Sequence, residues 1–394
     1  MVKIGLENLR DHHSDTFKKM DALDGKRLGL LANPASVDRH FTHAKSIIQD
    51  LYPGQLTALF SPQHGFHAEK QDNMIESDHG RDPELGIPIF SLYSATRIPT
   101  PEMFHSIDTL LIDIQDVGTR VYTFIYTISY CLEMAARLGK KVVILDRPNP
   151  VGGRQVEGNC LEMDQASFVG RFPIPMRHGL TVGEISKFFN QRFQLGCDLT
   201  LVPMEGWKRD MYWQETGLPW IPPSPNLPTP LSAMVYPGQV IFEGTNVSEG
   251  RGTTLPFEQF GAPFMDPPAL SHWLEGKIQG AHLRQVQFEP TSGKWANQVC
   301  RGFHIHVTDP KRFNSYESSL LFMQGIMALH PEDFEFKQPP YEYEYHKLPM
   351  DLILGSKGLR QKIQAQESME KLSREWMTDL DAFKTETKGY HLYD

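Results

Sequence analysis

The chain has 394 residues, of which 40% are hydrophobic and 22% are charged, and its formal net charge is −9. This composition is typical of a folded globular protein, and the length favours two domains over one. A net negative chain with no long basic run argues against nucleic acid as the main partner. No stretch of about 18 apolar residues occurs, which argues against a membrane span.

The first 15 residues contain no apolar segment of the kind found in signal peptides. We therefore expect a cytoplasmic location, or a periplasmic or secreted one if a leader has been removed. The cysteines are widely spaced and form no C-x-x-C pair, which favours reduced, structural thiols. They are Cys131, Cys160, Cys197 and Cys300.

Short apolar runs recur at the start of the chain, and continuous runs of this kind are typical of strands buried on both faces. These runs are 26–33, 56–62, 87–93, 108–115 and 140–147. Helical patterns lie between them, over 41–52, 100–107 and 122–140. The alternation predicts an α/β fold with a Rossmann-like, doubly wound and largely parallel sheet.

In open α/β sheets, ligands bind beyond the carboxyl ends of the strands. The polar, turn-rich segments at these ends are 32–37, 61–66, 113–120 and 146–153. Neither G-x-G-x-x-G nor G-x-x-x-x-G-K-[ST] occurs, so no nucleotide cofactor is expected. No H-E-x-x-H motif or paired His/Cys spacing appears, so no metal site is expected either.

Between residues 151 and 230 the sequence predicts a helix with Thr181 as its N-cap and Glu184 closing a capping box. The segment 217–230 holds six prolines and forms either a linker or the rigid wall of a cleft. We place a domain boundary at its end, between a Rossmann-like catalytic domain at 1–230 and a smaller α+β domain at 231–394 that closes the cleft. Within the smaller domain we predict a strand at 300–309 and one helix over most of 356–384.

Carboxylates in the turn-rich segments are candidates for catalysis, because glycoside hydrolysis usually needs two carboxyl groups. The candidates are Glu76, Asp113, Asp116, Asp146, Glu157, Glu243 and Glu249. A single carboxylate in such a segment is more often a solvated surface group or an acceptor that braces a loop, and Asp113 and Asp146 can equally brace neighbouring loops. Helix capping accounts for Glu184.

Three other classes of side chain lie in the same segments. His64 and His178 can act as general acid or base, or bind a hydroxyl. Guanidinium groups bind carboxylates in a bidentate manner, so Arg120, Arg147, Arg177 and Arg251 suit an anionic substrate, although each can instead pair with a nearby acid. Aromatic faces stack on sugar rings, but core packing is their commoner use; the candidates are Tyr122, Trp207, Trp220 and Tyr236.

Seven motifs occur in an order that resembles one protein family. They are SPQHGF, DIQDVGTRVYTFIYT, LDRPNPVGG, VEGN, SFVGRFPIPMRHGLTVGE, GLPWIPPSPNLPT and YPGQVIFEGTNVSEGRGTTLPFEQFGAPF. The family is the bacterial NamZ family, once filed as a domain of unknown function and since tied to exo-β-N-acetylmuramidase activity. The resemblance runs over nearly the whole chain and is densest from 56 to 264.

The resemblance implies a Rossmann-like domain followed by a smaller one, with the active site in the cleft between them. It implies release of N-acetylmuramic acid from the non-reducing end of peptidoglycan-derived disaccharides or oligosaccharides, without a cofactor. It also implies two catalytic glutamates, matched here to Glu76 in QDNMIES and Glu157 in VEGN. Many family members have glutamate where this chain has Gln63, so we expect Gln63 to orient the substrate by hydrogen bonding.

N-acetylmuramic acid has a lactyl carboxylate that the loop arginines suit, and an acetamido group that Asn149 or Asn246 suits. The glycine-rich stretch 243–253 then becomes a site loop, in which Glu249 and Arg251 are contacts. The expected substrate-binding residues are Gln63, His64, Asp116, Arg120, Tyr122, Arg147, Asn149, Arg177, His178, Asn246, Glu249 and Arg251.

Two other functions are compatible with the residues. One is a muropeptide amidase or esterase that uses His64 or His178 with an aspartate at a strand end. The other is a non-catalytic protein that binds cell-wall fragments, since doubly wound sheets host many chemistries. The sequence specifies none of three properties, namely the oligomeric state, which glutamate is the acid, and whether the anomeric configuration is retained.

Overall fold

The structure, a computed structural model, describes residues 1–11, 23–71 and 75–394. Its strands in chain order are β1 Leu28–Ala32, β2 Leu56–Ser61, β3 Gly80–Arg81, β4 Pro88–Ser91, β5 Thr109–Asp113, β6 Lys141–Leu145, β7 Glu157–Cys160, β8 Pro175–Arg177, β9 Asp198–Val202, β10 Gln259–Ala262, β11 Ala281–Phe288 and β12 Cys300–Val307. Its helices are α1 Gly5–Asp11, α2 Ala44–Leu51, α3 Pro101–Phe104, α4 Phe124–Arg137, α5 Val182–Arg192, α6 Trp213–Thr216, α7 Pro230–Gln239, α8 Pro267–Trp273, α9 Ser315–Leu329, α10 Pro349–Leu354, α11 Lys357–Gln364 and α12 Met369–Thr387.

A seven-stranded sheet in the order β3-β4-β2-β1-β5-β6-β9 forms the centre of the N-terminal part. Its strands are parallel except β3, which runs antiparallel to β4 at the edge. All five residues of β1 and all five of β5 are buried, because parallel sheets carry helices on both faces. The α/β fold with a largely parallel sheet is therefore confirmed, and each of the five predicted apolar runs contains one of these strands.

The direction in which strands are added reverses between β1 and β5. From β1 the chain adds β2 and β4 on one side, and then β5, β6 and β9 on the other. In folds of this type, the crevice at the carboxyl ends of the strands beside such a reversal is the usual ligand site. The loops that follow β2 and β5 both reach this crevice.

A three-stranded antiparallel sheet in the order β10-β12-β11 belongs to the C-terminal part. One hydrophobic core contains residues of both parts, among them Leu110 and Ile112 of β5, Tyr236 of α7 and Leu320 of α9. The boundary that we placed after residue 230 falls in the first turn of α7, whose N-cap is Thr229. That boundary stays a prediction, because the shared core joins the two parts without a gap.

Local sequence signals located α2, α3, α4 and α5, whereas α1 and α6 to α10 were not predicted. The capping box of Thr181 and Glu184 is present at the start of α5, as predicted. The single helix predicted over most of 356–384 is wrong: α11 and α12 are separate helices. Gln366 lies between them with a φ of 58°, and the Ser368 side chain caps α12. The left-handed residue ends the first helix, and the cap begins a new one.

Three observations concern chemistry outside the site. All four cysteines have free thiols, as predicted. Within residues 1–11, 23–71 and 75–394, no helix is both long enough and apolar enough to cross a bilayer. Over the same ranges, no group of three or more histidine, cysteine, aspartate or glutamate side chains could hold a metal ion.

Candidate active site

A small, enclosed cavity lies where the loops after β2 and β5 meet the C-terminal part. Its lining residues are Gln63, His64, Val121, Tyr122, Thr123, Phe124, Val169, Ser224, Asn226, Leu227, Tyr236, Glu243, Arg251, Phe257, Tyr341 and Glu342. Its volume is about 30 Å³, room for only one or two water molecules. We call this cavity the polar pocket.

Arg251 connects two acids of the glycine-rich stretch 243–253. Its guanidinium donates to Glu243 Oε1 at 2.6 Å, and Glu249 Oε1 lies 3.4 Å from its Nε. Burial lowers the pKa of Arg251, but the charges of Glu243 and Glu249 outweigh burial and raise it. The guanidinium therefore stays charged, and the stretch contributes directly to the site, which excludes its interpretation as a linker.

Lys294 balances the second acid of this network. Its ammonium donates to Glu249 Oε2 at 2.7 Å and to the carbonyl oxygens of Phe242 and Val247. Burial would raise the pKa of Glu249, but the charges of Lys294 and Arg251 outweigh burial and lower it. Glu249 is thereby held as a carboxylate that positions Arg251 from outside the polar pocket.

Glu342 has the opposite electrostatic environment. Tyr93 donates to its Oε2 at 2.6 Å, and Gln63 donates to its Oε1 at 3.2 Å. Burial raises the pKa of Glu342, and the nearby charge of Glu243 raises it further against the lowering effect of the two donors. A carboxyl group with a raised pKa holds its proton toward neutral pH, as a general acid must.

Gln63 and His64 reach the polar pocket from the loop after β2. The hydroxyl of Thr123 donates to Gln63 Oε1 at 2.8 Å, which fixes the amide so that its nitrogen faces Glu342. His64 Nδ1 lies 2.7 Å from the carbonyl oxygen of Lys70, so this nitrogen carries the proton in the neutral ring. Burial lowers the pKa of His64 to about 4, which keeps the ring neutral.

Aromatic rings form one wall of the polar pocket. Tyr236 packs edge-on against Phe257 at 4.8 Å and against Tyr122 at 5.8 Å between ring centroids. On the opposite side the Tyr341 hydroxyl donates to Glu243 Oε2 at 2.7 Å. Both oxygens of Glu243 therefore accept hydrogen bonds, one from a cation and one from a phenol.

The turn 341–344 covers the polar pocket and holds an unusual backbone conformation. Tyr341 and Glu344 exchange two backbone hydrogen bonds of 2.9 Å across it. Between them Glu342 and Tyr343 both have positive φ, at 45° and 67°. Two consecutive non-glycine residues in the left-handed region cost free energy, and such strain is concentrated at functional sites. The Arg97 guanidinium stacks on the Tyr343 ring from outside, 3.1 Å from its centroid.

Glu76 lies at the edge of this turn. Its side chain is 48% exposed, and its Oε1 is 3.6 Å from Arg97 and 3.4 Å from the Tyr343 hydroxyl. It does not line the polar pocket. Its predicted catalytic role stays a prediction.

Glu157 is buried outside the polar pocket, in β7. It forms a buried ion pair with Arg177, and its other oxygen accepts from the Tyr316 backbone nitrogen at 3.2 Å. Arg177 also donates to the carbonyl oxygen of Val151. These contacts join β7, β8 and α9, so structure alone accounts for both side chains, and their predicted roles stay predictions.

Asp116 and His178 form a second buried pair away from the polar pocket. His178 Nε2 lies 3.8 Å from Asp116 Oδ2, which accepts from the Gly118 backbone nitrogen at 2.7 Å. Burial raises the pKa of Asp116 to about 7 and lowers that of His178 to about 3. Both groups are therefore mostly neutral at mildly acidic pH, which suits a structural pair.

The remaining predicted contacts brace loops. The Arg120 guanidinium is fully buried and donates to four carbonyl oxygens, those of Asn159, Ile174, Ile353 and Leu354. Arg147 forms a bidentate pair with Asp113 at 2.5 and 2.8 Å. Asn149 bonds the backbone of Val151 and Leu180, and Asn246 bonds that of Asp333 and Glu335. The structure thus brings Gln63, His64, Tyr122 and Arg251 together, with Glu249 behind them, and places the other predicted residues elsewhere.

Sequence reasoning missed the second acid of the polar pocket. Glu342 lies in the stretch PPYEYEYH at 339–346, where tyrosine and glutamate alternate after two prolines. The available signal was two prolines followed by alternating acidic and aromatic residues outside a regular element. A cluster of prolines also drew attention to 217–230. Glu243 was among the candidate carboxylates but was not selected.

The chain is similar to proteins of known family along its whole length. The family model described as "Exo-beta-N-acetylmuramidase NamZ, N-terminal" matches residues 28–231, and its C-terminal counterpart matches 234–393. A relative from Bacillus subtilis strain 168, "Peptidoglycan beta-N-acetylmuramidase NamZ", is 42% identical over 100% of this chain and 91% of its own length.

Two solved structures share the fold, both crystal structures of DUF1343 family proteins from Bacteroides fragilis NCTC 9343. One has a TM-score of 0.89 at 34% identity, and the other a TM-score of 0.74 at 29% identity. Each comparison covers 100% of this chain and 99% of the other.

Proposed function

The chain belongs to the exo-β-N-acetylmuramidase NamZ family, and from that premise we propose that the polar pocket is where it acts as a glycosidase on peptidoglycan fragments. The bond cleaved is the β-glycosidic bond of a terminal N-acetylmuramic acid at the non-reducing end. The observation that supports the pocket is its pair of buried glutamates in unlike environments. Glu243 contacts a cation, whereas Glu342 has a raised pKa.

Glycoside hydrolysis requires one carboxyl group that donates a proton and a second that acts as a carboxylate. In our proposal Glu342 protonates the leaving glycosidic oxygen, because burial raises its pKa and so favours the protonated form. Glu243 supplies the carboxylate, held by Arg251 and Tyr341, which attacks the anomeric carbon or activates water. Gln63 positions the acid through its 3.2 Å hydrogen bond to Glu342 Oε1.

We assign recognition of the lactyl carboxylate to Arg251. It is the one arginine or lysine among the described residues that line the polar pocket. Protonated Glu342 is neutral, so the positive charges of Arg251 and Lys294 are matched by Glu243 and Glu249 alone. An arriving carboxylate then meets no net negative charge, and a bidentate contact to the guanidinium distinguishes muramic acid from glucosamine.

The pocket must open for a sugar to enter, because the enclosed space has room for only one or two water molecules. The turn 341–344 is the wall that we propose moves, since its two left-handed residues store strain that opening would relieve. Closing the turn again would bring Glu342 to the bound sugar and exclude water.

Incubation with para-nitrophenyl β-N-acetylmuramic acid tests the proposal, with the N-acetylglucosamine analogue as the matched control. We expect nitrophenol release from the first substrate alone. Release from both at equal rates would contradict the role of Arg251, and release from neither by folded protein would contradict the proposed function.

The assignment of Glu76 and Glu157 as the catalytic pair remains a rival proposal for the same reaction. Glu76 neighbours the moving turn, so that opening or closing it would change the surroundings of this carboxylate. Glutamine variants of each glutamate separate the two assignments.

A further inference from the structure

A second cavity lies where the segments that follow β6, β9 and β12 meet. Its walls come from residues of 151–155 and 209–212 and from Lys311, and its volume is about 310 Å³. It shares no lining residue with the polar pocket. Small-molecule sites have volumes of about 300–1,000 Å³, so this cavity is large enough for a small ligand of its own. We call it the cationic cavity.

Hydrogen bonds hold the three walls of the cationic cavity in place. The Tyr212 hydroxyl donates to Gln155 Oε1 at 2.9 Å, and Gln155 Nε2 donates to the Lys311 carbonyl oxygen at 3.0 Å. The Gly153 backbone nitrogen donates to the Arg209 carbonyl oxygen at 2.7 Å. The walls are therefore ordered without a ligand, and binding costs little further conformational freedom.

Arg209 is the buried cation of the cationic cavity, and its charge is balanced within the protein. Its guanidinium donates to Glu184 Oε1 at 2.7 Å and to the Gly153 carbonyl oxygen at 3.0 and 3.2 Å. Arg209 thus fixes the wall, and the charge available to a ligand comes from the other ionisable groups.

Three charged groups of the cationic cavity remain available. Over residues 1–11, 23–71 and 75–394, no side chain or backbone group forms a hydrogen bond or ion pair with the Arg154 guanidinium, the Lys311 ammonium or the Asp210 carboxylate. All three residues are exposed. Two cations against one acid give the cavity a local positive charge in a chain whose net charge is −9. A local positive charge of this kind attracts anions to the cavity.

The two available cations match a dianion better than a monoanion. A phosphate monoester carries a charge of about −1.5 to −2 at neutral pH and has three strong acceptor oxygens. Arg154 can bind two of these oxygens in a bidentate manner, and the Lys311 ammonium can bind the third. Val151 and the ring of Tyr212 line the same cavity and offer an apolar surface to an organic group.

We propose that the cationic cavity binds a small organic phosphate monoester, with Arg154 and Lys311 contacting the phosphate and Tyr212 contacting the organic group. The cavity is separate from the polar pocket, so this inference does not depend on the proposed glycosidase function.

Isothermal titration at pH 7.5 with glucose 6-phosphate as the probe tests the site. Glucose is the neutral control, and gluconate is the control with a carboxylate in place of the phosphate. We expect glucose 6-phosphate to bind, gluconate to bind more weakly and glucose not to bind. No binding of glucose 6-phosphate overturns the proposal, and gluconate that binds as tightly as glucose 6-phosphate overturns the phosphate assignment.

Variants of the wall locate the binding. Arg154→Gln should raise the Kd for glucose 6-phosphate about tenfold or more, because a charge-assisted hydrogen bond is lost. Lys311→Gln repeats the test if Arg154→Gln does not fold. Arg137→Gln, at an exposed position of α4, is the matched control and should keep the wild-type Kd. A Kd that stays at the wild-type value in a folded wall variant places the binding elsewhere and overturns the site.

Asp210→Asn distinguishes an anion from a ligand that also carries a positive charge. Removing the one available acid of the cavity removes repulsion of the phosphate, so we expect the Kd for glucose 6-phosphate to fall. A Kd that rises in this variant would show that Asp210 attracts the ligand and would overturn the assignment of a purely anionic one.

Discussion

At the scale of single residues, the two glutamates of the polar pocket differ in the groups that contact them. Glu342 is buried near the charge of Glu243, which raises its pKa, whereas Glu243 accepts from Arg251 at 2.6 Å. Gln63 contacts the acid directly, and this is the position where the resemblance leads one to expect glutamate. The side chain at 63 should therefore set the pH range in which Glu342 stays protonated.

Gln63→Glu should move the alkaline limb of the pH–rate profile to higher pH. The new carboxyl group would lie at hydrogen-bonding distance from Glu342, and two carboxyl groups that share one proton raise the upper pKa of the pair. The acid would then lose its proton at higher pH than in the wild type. The measurement is kcat/KM across pH for the disaccharide of N-acetylmuramic acid joined β to N-acetylglucosamine, with Gln285→Glu on the exposed face of β11 as control. An alkaline limb that stays in place or moves to lower pH would contradict the contact.

Asp116→Asn should make the free energy of unfolding less dependent on pH. The pKa of Asp116 rises from 3.8 to about 7 in the folded state. Its contribution to stability is therefore complete below pH 3.8 and is lost as pH rises toward 7, by about 1.4 kcal/mol per pH unit. Asparagine has no proton to lose, so urea unfolding at pH 5 and pH 7 should differ less in the variant than in the wild type. Equal differences in the two proteins would show that Asp116 titrates normally.

At the scale of elements, sequence rules predicted the features that depend on contacts between residues close together in the chain. The apolar runs of β1 and β5 and the capping box of α5 depend on neighbouring residues, and the sequence identified all three. The break between α11 and α12 was missed, because Gln366 is not a residue type that usually marks a left-handed position. Apolar periodicity on both sides of the break also continues at helical spacing.

Thr181→Ala should destabilise the protein more than Ser368→Ala does, although both remove the N-cap of a helix. The Thr181 side chain accepts from the Glu184 backbone nitrogen and also donates to the buried Asp146 carboxylate at 2.7 Å. Ser368 caps α12 through a single exposed contact. We expect a loss of about 2–3 kcal/mol for Thr181→Ala and about 0.5–1 kcal/mol for Ser368→Ala in urea unfolding. Equal losses would show that the bond to Asp146 contributes nothing.

At the scale of the whole molecule, the polar pocket exists only because distant segments meet. Gln63 and Glu342 are separated by 279 positions in the chain, yet their side chains form a hydrogen bond. The sequence singled out Arg251 and His64 from their polar, glycine-rich surroundings. It could not identify the partner acid, because no local pattern encodes which loop covers which strand end. Arg120 and Arg147 were expected to contact the substrate because they lie in polar loops. In the structure Arg120 instead bonds backbone carbonyl oxygens, and Arg147 bonds the carboxylate of Asp113.

Gly238→Ala should disrupt the packing that places the C-terminal part. A Cβ at residue 238 of α7 would lie 1.9 Å from the Ser315 carbonyl oxygen at the start of α9. The backbone must shift to relieve this overlap, so we expect a loss of about 3 kcal/mol or more. Gly358→Ala in α11 is the matched control, because its Cβ meets only one atom, at 3.8 Å. The control should be neutral or stabilising by about 0.5–1 kcal/mol. Equal thermal unfolding of the two variants would contradict the close approach of α7 and α9.

The most direct test of the account is the turnover of the disaccharide of N-acetylmuramic acid joined β to N-acetylglucosamine, whose leaving oxygen must be protonated, by Glu342→Gln, Glu243→Gln and Glu76→Gln, each shown to be folded by thermal unfolding. The account predicts that the first two lose about 100-fold or more, as expected for removal of a proton donor or of a catalytic carboxylate. It predicts that Glu76→Gln stays within about threefold of the wild type, because an exposed side chain outside the pocket supplies no comparable stabilisation of the transition state. Loss of turnover in Glu76→Gln, with both pocket variants still active, would contradict the account and move the catalytic centre to the edge of the turn 341–344.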